Sequence, residues 1–252
     1  VPGITINRFC SSGVQAVADA ANQIRLGLAD VMIAAGTESM SVMPQIMGNK
    51  MSMNPAIFAK DENLGIAYGM GLTAENVAKQ WKVSREEQDA FAVASNQKAC
   101  AAIAAGYFKA ETTPYVISES LPDLKTGLIK LRERTVDTDE GPRADSSMAN
   151  LAKLKPVFHA RGSVTAGNSS QMSDGAAAVM IVSEKILREH NLTPLARFAG
   201  YAVGGVAPEI MGIGPIAAIP KVLKQVGITQ DQLDWIELNE AFAAQSIAVM
   251  KE

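Results

Sequence analysis

Apolar residues along this chain fall into two kinds of run, and the spacing within each predicts the element it forms. Residues 4–9 (ITINRF) are a short apolar-rich run after Pro2-Gly3, read as a strand. From residue 12 to 28 the apolar positions Val14, Val17, Ala21, Ile24 and Leu28 recur at helical spacing. Residues 29–35 (ADVMIAA), apolar but for Asp30, stop at Gly36 and read as a buried strand. The order strand, tight turn, helix, strand implies a parallel sheet with covered faces.

The texture changes between about residues 41 and 156. A Met-rich stretch is followed by helical patterns and then by charged segments containing Pro and Gly, such as residues 119–127, so this region reads as an inserted layer. Within it Ser84-Arg85-Glu86-Glu87 has the form of a capping box, in which Ser84 and Glu87 satisfy each other's free backbone N–H groups. It predicts a long helix through about Phe108. Sheet-and-helix texture then returns: strands at 176–182, 194–203 and 233–238, and helices at 183–190 and 214–226. The last residues, to Glu252, read as the middle of a helix.

Composition narrows the class. With 252 residues, 48% hydrophobic and 19% charged, the chain can bury one large core or two smaller ones. A net charge of -3 without a Lys/Arg stripe leaves no electrostatic footprint for nucleic acid. No apolar run has the length of a membrane span. The two cysteines lie far apart and no His/Cys cluster has metal-ligand spacing, which points to a reducing compartment without structural zinc.

Cys10 stands where a strand turns into a helix, so the free N–H groups and dipole of the helix start would favour a thiolate. Ser11, Ser12 and Gly13 leave room for a substrate. From position alone Cys10 reads equally as a nucleophile or as a buried structural thiol. Cys100 lies in an Ala-rich helix and reads as packing. The loop Ala166-Gly167-Asn168-Ser169-Ser170 offers amides and hydroxyls with little bulk, which suits a polar ligand but is also common in ordinary turns. Asn239 and Glu240 end an apolar run, a good site position in α/β folds and equally a helix cap. His190 ends a helix, where a cation suits the dipole. His159, between Phe158 and Arg161, reads as a contact to a phosphate-bearing ligand or as a solvent-facing side chain.

Taken together, INRFCSSG at 6–13, GTESMS at 36–41, YGMGLTAENVA at 68–78, VTAGNSSQMSDGAAA at 164–178 and LNEAFAA at 238–244 closely resemble the thiolases. The resemblance runs through essentially the whole chain in order. It implies an α/β layered αβαβα fold of two similar halves, incomplete in this chain: residues 1–40 from the first half with the nucleophile, 41–156 an inserted loop domain, and 157–252 the return to the core and the first part of the second half.

The resemblance also implies chemistry. Cys10 would be the nucleophile of an acetyl-CoA acyltransferase that cleaves 3-oxoacyl-CoA with CoA through a cysteine acyl-enzyme. Asn239 would hold a water that polarises one thioester oxygen, and the Cys10 N–H would contribute to a second oxyanion hole. Ser170 would meet the pantetheine arm, Ala166 and Phe158 would line the CoA channel, and Met70 and Met211 would border the acyl pocket. For these two methionines, a gap-filling core role remains the alternative. The implied partners are acyl-CoA and CoA, with no metal and no tightly bound cofactor, in a homodimer or homotetramer of the cytoplasm or, in a eukaryote, an organelle matrix.

Gly69 before Met70, where short-chain acetoacetyl-CoA thiolases tend to carry a histidine, points to the 3-ketoacyl-CoA thiolases of fatty-acid β-oxidation. The alternatives are an acetoacetyl-CoA thiolase running biosynthetically and an inactive CoA-binding fragment. The family's Gly-His-Pro histidine and Cys-x-Gly cysteine do not occur among these residues. The expectation is that the chain is an excerpt of a complete thiolase.

Overall fold

The structure, a computed structural model, describes residues 1–42 and 53–252. Most of the Met-rich stretch that begins the expected inserted layer, residues 43–52, lies outside the described residues. The chain divides into two compact units, residues 1–73 with 172–239 and 252, and residues 74–171 with 240–251.

In the first unit helix α1 (Ser12–Arg25) packs on strands β1 (Val31–Ser39) and β4 (Asp174–Val182). Its small residues Ala18, Ala20 and Ala21 are buried with Ala34 of β1, and their size permits the close approach. β1 and β4 are antiparallel, from Val31 opposite Val182 to Ser39 opposite Asp174. The parallel sheet with covered faces is therefore not what forms: both ladders among the described residues are antiparallel, and Ile33 and Met180 stay exposed. The reason lies in the first run. Residues 4–9 make no ladder, only an isolated bridge between Arg8 and Cys10, so the strand-helix-strand unit that would have set a parallel pair is absent.

Ser183 joins β4 to helix α5 (Glu184–Glu189): it caps the helix through the N–H of Ile186 and bonds Asp30 with both its N–H and its hydroxyl. The expected strand at 194–203 is instead an irregular segment pinned to α1. Arg25 donates to the carbonyls of Phe198 and Ala199 and lies over the Phe198 ring, and Tyr201 donates to Gln15. Against its other side lies helix α6 (Gly214–Val226), so close that a Cβ on Gly204 would lie 2.7 Å from the backbone of Ala217. Among the described residues no strand pairs with it, and Leu195 and Val203 stay exposed. Residues 233–238 likewise take no strand structure, and Trp235 and Ile236 are exposed.

Helix α2 (Met70–Gln80), which belongs to the second unit from Ala74 on, leads by way of Lys82 and Val83 to α3 (Arg85–Ala104) of that unit. The capping box forms as expected: Ser84 Oγ accepts the N–H of Glu87, and Glu87 accepts that of Ser84. Strands β2 (Tyr115–Pro122) and β3 (Ile129–Val136) make a hairpin. Its turn is closed by Asp123, whose carboxylate accepts the Lys125 N–H and pairs with Lys130. The short helix α4 (Met148–Leu151) and the final helix α7 (Ala243–Lys251) pack on α3, and α7 is buried from Ala243 to Ala248. Val164, Ala74 and Phe242 form a tight apolar cluster there.

Candidate functional site

Cys10 is an exposed free thiol one residue ahead of Ser11, the N-cap of α1. The turn that presents it is strained and braced. Phe9 has φ 47°, in the left-handed region that a bulky side chain occupies at a cost of about 1–3 kcal/mol. Two side chains hold it there: the Phe9 N–H donates to Asn7 Oδ1 at 3.0 Å, and Ser12 Oγ accepts the Arg8 N–H while donating to the Phe9 carbonyl, both at 2.7 Å. These bonds, with those of the Ser11 and Ser12 N–H groups, leave out the N–H of Cys10. Helix α1 has no acidic residue in its first turn and no side-chain cap from Ser11, so its positive dipole end beside Cys10 is not neutralised locally.

The first unit also contains Asn239, Met70 and Met211. Asn239 is exposed in irregular chain. Met70 begins α2 and Met211 lies in a 3-10 turn (Pro208–Ile213); they are 42% and 44% exposed, so neither is a core residue. No hydrogen bond joins Cys10 to Asn239 among the described residues.

In the second unit, Ala166 and Ser170 sit on a loop, residues 162–170, that is fixed by buried polar groups. At its start the Glu75 carboxylate of α2 accepts the N–H groups of Ser163 and Val164, at 2.9–3.0 Å, and the Ser163 hydroxyl. Midway, Asn168 is 2% exposed and uses every polar group it has. Its Oδ1 accepts the Thr165 N–H at 2.8 Å, and its Nδ2 donates to Asp89 at 2.9 Å and to the Ser163 carbonyl at 3.2 Å. Its carbonyl accepts the Ala243 N–H, and the Ser170 N–H donates to the Ala241 carbonyl. The loop is thereby stitched to the segment that follows Asn239-Glu240. Ala166 and Ser170 themselves stay exposed at its surface, and the Phe158 ring meets Phe242 edge to face with centroids 6.1 Å apart.

Several of these partners escaped the sequence reading. Arg85, Gln88, Asp89 and Ser95 share one face of α3 with buried Ala92, a helical spacing that marks a polar stripe turned inward. Arg85 pairs with Asp89 at 2.8 Å and donates to the carbonyls of Leu151 and Leu154. Gln88 donates to Ser163, and Ser95 to the Glu240 carboxylate. Such a stripe after a capping box was the one signal available. Cys100 is half-buried in the same helix. His190 is the C-cap of α5, and His159 is exposed, its Nδ1 accepting the Arg161 N–H. Among the described residues no three His, Cys, Asp or Glu side chains are grouped to hold a metal, and no helix is long and apolar enough to cross a membrane.

Comparison with known proteins covers nearly the whole chain. The family profile for the thiolase N-terminal domain matches residues 1–185, and that for the thiolase C-terminal domain matches residues 192–252. The chain is 47% identical to the 3-ketoacyl-CoA thiolase of Bacillus subtilis (strain 168), covering 100% of this chain and 63% of that protein. It is 46% identical to an acetyl-CoA acetyltransferase of Pseudomonas aeruginosa, covering 100% of this chain and 64% of the relative. Among solved structures, the dimeric peroxisomal thiolase of Saccharomyces cerevisiae superposes with a TM-score of 0.86 at 39% identity, over 98% of this chain and 60% of the other. The Bacillus anthracis acetyl-CoA acetyltransferase gives 0.83 at 42%, over 99% and 63%. The chain thus spans less than two thirds of the length of these relatives, and what it spans carries their fold. With both family profiles matched in order along the chain, this protein belongs to the thiolase family.

Proposed function

We propose that the protein containing this chain is an acetyl-CoA acyltransferase acting on 3-oxoacyl-CoA, with Cys10 as its nucleophile. The observation that carries the proposal is the exposed Cys10 thiol on a braced left-handed turn at the start of α1, in a chain of the thiolase family. The Cys10 thiolate attacks the C3 carbonyl of 3-oxoacyl-CoA, the C2–C3 bond breaks, and its electron pair takes up a proton at C2 to give acetyl-CoA. The acyl group stays on Cys10 Sγ until the thiolate of a second CoA attacks it, releasing an acyl-CoA two carbons shorter and the free thiolate. The Cys10 N–H, left out of the local hydrogen bonds, suits it to oxyanion stabilisation. The base and acid for these proton transfers belong to the family's Gly-His-Pro and Cys-x-Gly loops, which are not among these 252 residues.

In the same reading Asn239 holds a polarising water, Ser170 and Ala166 contact CoA from the fixed loop, and Phe158 lines the CoA channel from the segment before it. Met70 and Met211, both exposed, border the acyl chain, and residues 41–156 are the inserted loop domain. The assembly is a homodimer or homotetramer, and the process is fatty-acid β-oxidation. An acetoacetyl-CoA thiolase is the second reading, favoured by the near-equal identity to a relative named acetyl-CoA acetyltransferase.

Thiolysis assays of the full-length protein with acetoacetyl-CoA and with 3-oxooctanoyl-CoA test both. A higher kcat/KM for the longer substrate supports the first reading, and a preference for acetoacetyl-CoA supports the second. Absence of CoA-dependent cleavage with either overturns both.

A further inference from the structure

The Asp89 carboxylate lies on α3, 79 residues from the loop it touches, and is 3% exposed. A buried carboxylate is retained only with partners that repay its desolvation, and Asp89 has two: the guanidinium of Arg85 at 2.8 Å and the Nδ2 of Asn168 at 2.9 Å. Asn168 in turn is the branch point of the loop. One amide group closes the turn onto Thr165 and Ser163, and its main-chain carbonyl receives the first N–H of α7. Two residues on, Ser170 is bonded to Ala241.

We infer that Asp89 is a positioning residue for CoA recognition: through Asn168 it sets the height of the 166–170 loop at which Ala166 and Ser170 meet the pantetheine arm. Arg85 completes the device from the far side, since it binds Asp89 and, with the same side chain, the carbonyls of Leu151 and Leu154. This inference rests on the proposed CoA site. It adds that the site's geometry is held from a helix that touches no substrate.

The test uses the full-length protein and the alkylation of Cys10 by iodoacetamide, with CoA as protectant and Cys100 as an internal reporter of folding. Asp89→Asn keeps the shape and removes the charge that holds both partners. Loss of a charge-assisted hydrogen bond predicts that the CoA concentration giving half-protection rises about tenfold or more, while Cys10 and Cys100 alkylation without CoA keep their rates. Asp89→Glu keeps the charge and an acceptor for each partner, and holds half-protection to within about threefold of the parent. Asn168→Ser removes the same bond from the loop side, together with those to Thr165 and Ser163, and gives at least the same loss of affinity should Asp89→Asn fold poorly.

Unchanged half-protection in both Asp89→Asn and Asn168→Ser overturns the inference. So does a parallel change in the labelling of Cys10 and Cys100 without CoA, since Asp89 would then only support the fold. If CoA fails to protect Cys10 in the parent protein, the proposed function itself fails and the inference with it. If the parent is protected and the variants equally so, the inference alone fails.

Discussion

Glu75 occupies the space that a side chain on residue 162 would need: a Cβ built on Gly162 would lie 2.0 Å from Glu75 Oε1. The carboxylate comes that close because it is bonded to the two N–H groups that follow, those of Ser163 and Val164. Glycine at 162 is thus required by a close approach, and that approach fixes the start of the loop carrying Ala166 and Ser170.

Gly162→Ala therefore forces the carboxylate out, and the loss is that of its hydrogen bonds rather than of packing. The expected destabilisation is about 2 kcal/mol by denaturant unfolding. Glu75→Ala gives a similar loss, and the double variant adds little to either, because both remove the same bonds. Additive losses would show that Gly162 and Glu75 act separately.

Acid stability follows from the capping box of α3. The Glu87 carboxyl is held below its ordinary 4.5, first by the Ser84 N–H and then by Lys251. A carboxyl with a depressed folded pKa contributes stability that is present above pH 4.5 and lost as pH falls through the lower folded value. Glu87→Gln should lower the melting temperature at pH 7, and the difference from the parent should shrink on acidification toward pH 3. A difference that stays constant over that range would remove the charged form from the explanation.

Phe158 meets Phe242 at an interplanar angle of 83°, and Phe242 is 9% exposed while Phe158 is 42% exposed. Phe158→Ala should destabilise the protein by about 1–2 kcal/mol, less than a fully buried aromatic, with thermal unfolding as the measurement. It should also weaken protection of Cys10 by CoA. Reduced stability with unchanged CoA protection would place Phe158 in the fold and outside the CoA channel.

What the sequence discloses is set by how local the cause is. Helix α6 was readable to the residue because its signals are adjacent: Pro215 in the first turn and Gly227, at φ 76°, at the end. The capping box of α3 and the strands β1 and β4 were legible for the same reason. Residues 4–9, 194–203 and 233–238 read as strands and are not, since an apolar run becomes a strand only beside a partner and these have none among the described residues. The β2–β3 hairpin was hidden by the opposite fault: only Ile117, Glu119 and Val136 are half-buried, so its strands carry no sustained apolar face.

The candidate site divides in the same way. Cys10, the 166–170 loop with Ser170, and Asn239 could be suspected from their turns, each beside a plain structural alternative, but their roles and the two methionines were legible only through family motifs. The partners of Glu75 and Asp89 were not legible, because they lie 88 and 79 residues away; for Asp89 the polar stripe of α3 was the one signal.

The most direct test of the central claim is to capture the acyl-enzyme. The full-length protein is incubated with 3-oxooctanoyl-CoA in the absence of free CoA, quenched in acid, digested and analysed by mass spectrometry. The account predicts a hexanoyl group on the peptide containing Cys10, none on the peptide containing Cys100, and loss of the adduct when CoA is added before the quench. An unmodified Cys10 peptide alongside cleaved substrate, or an acyl group on another residue, would contradict it.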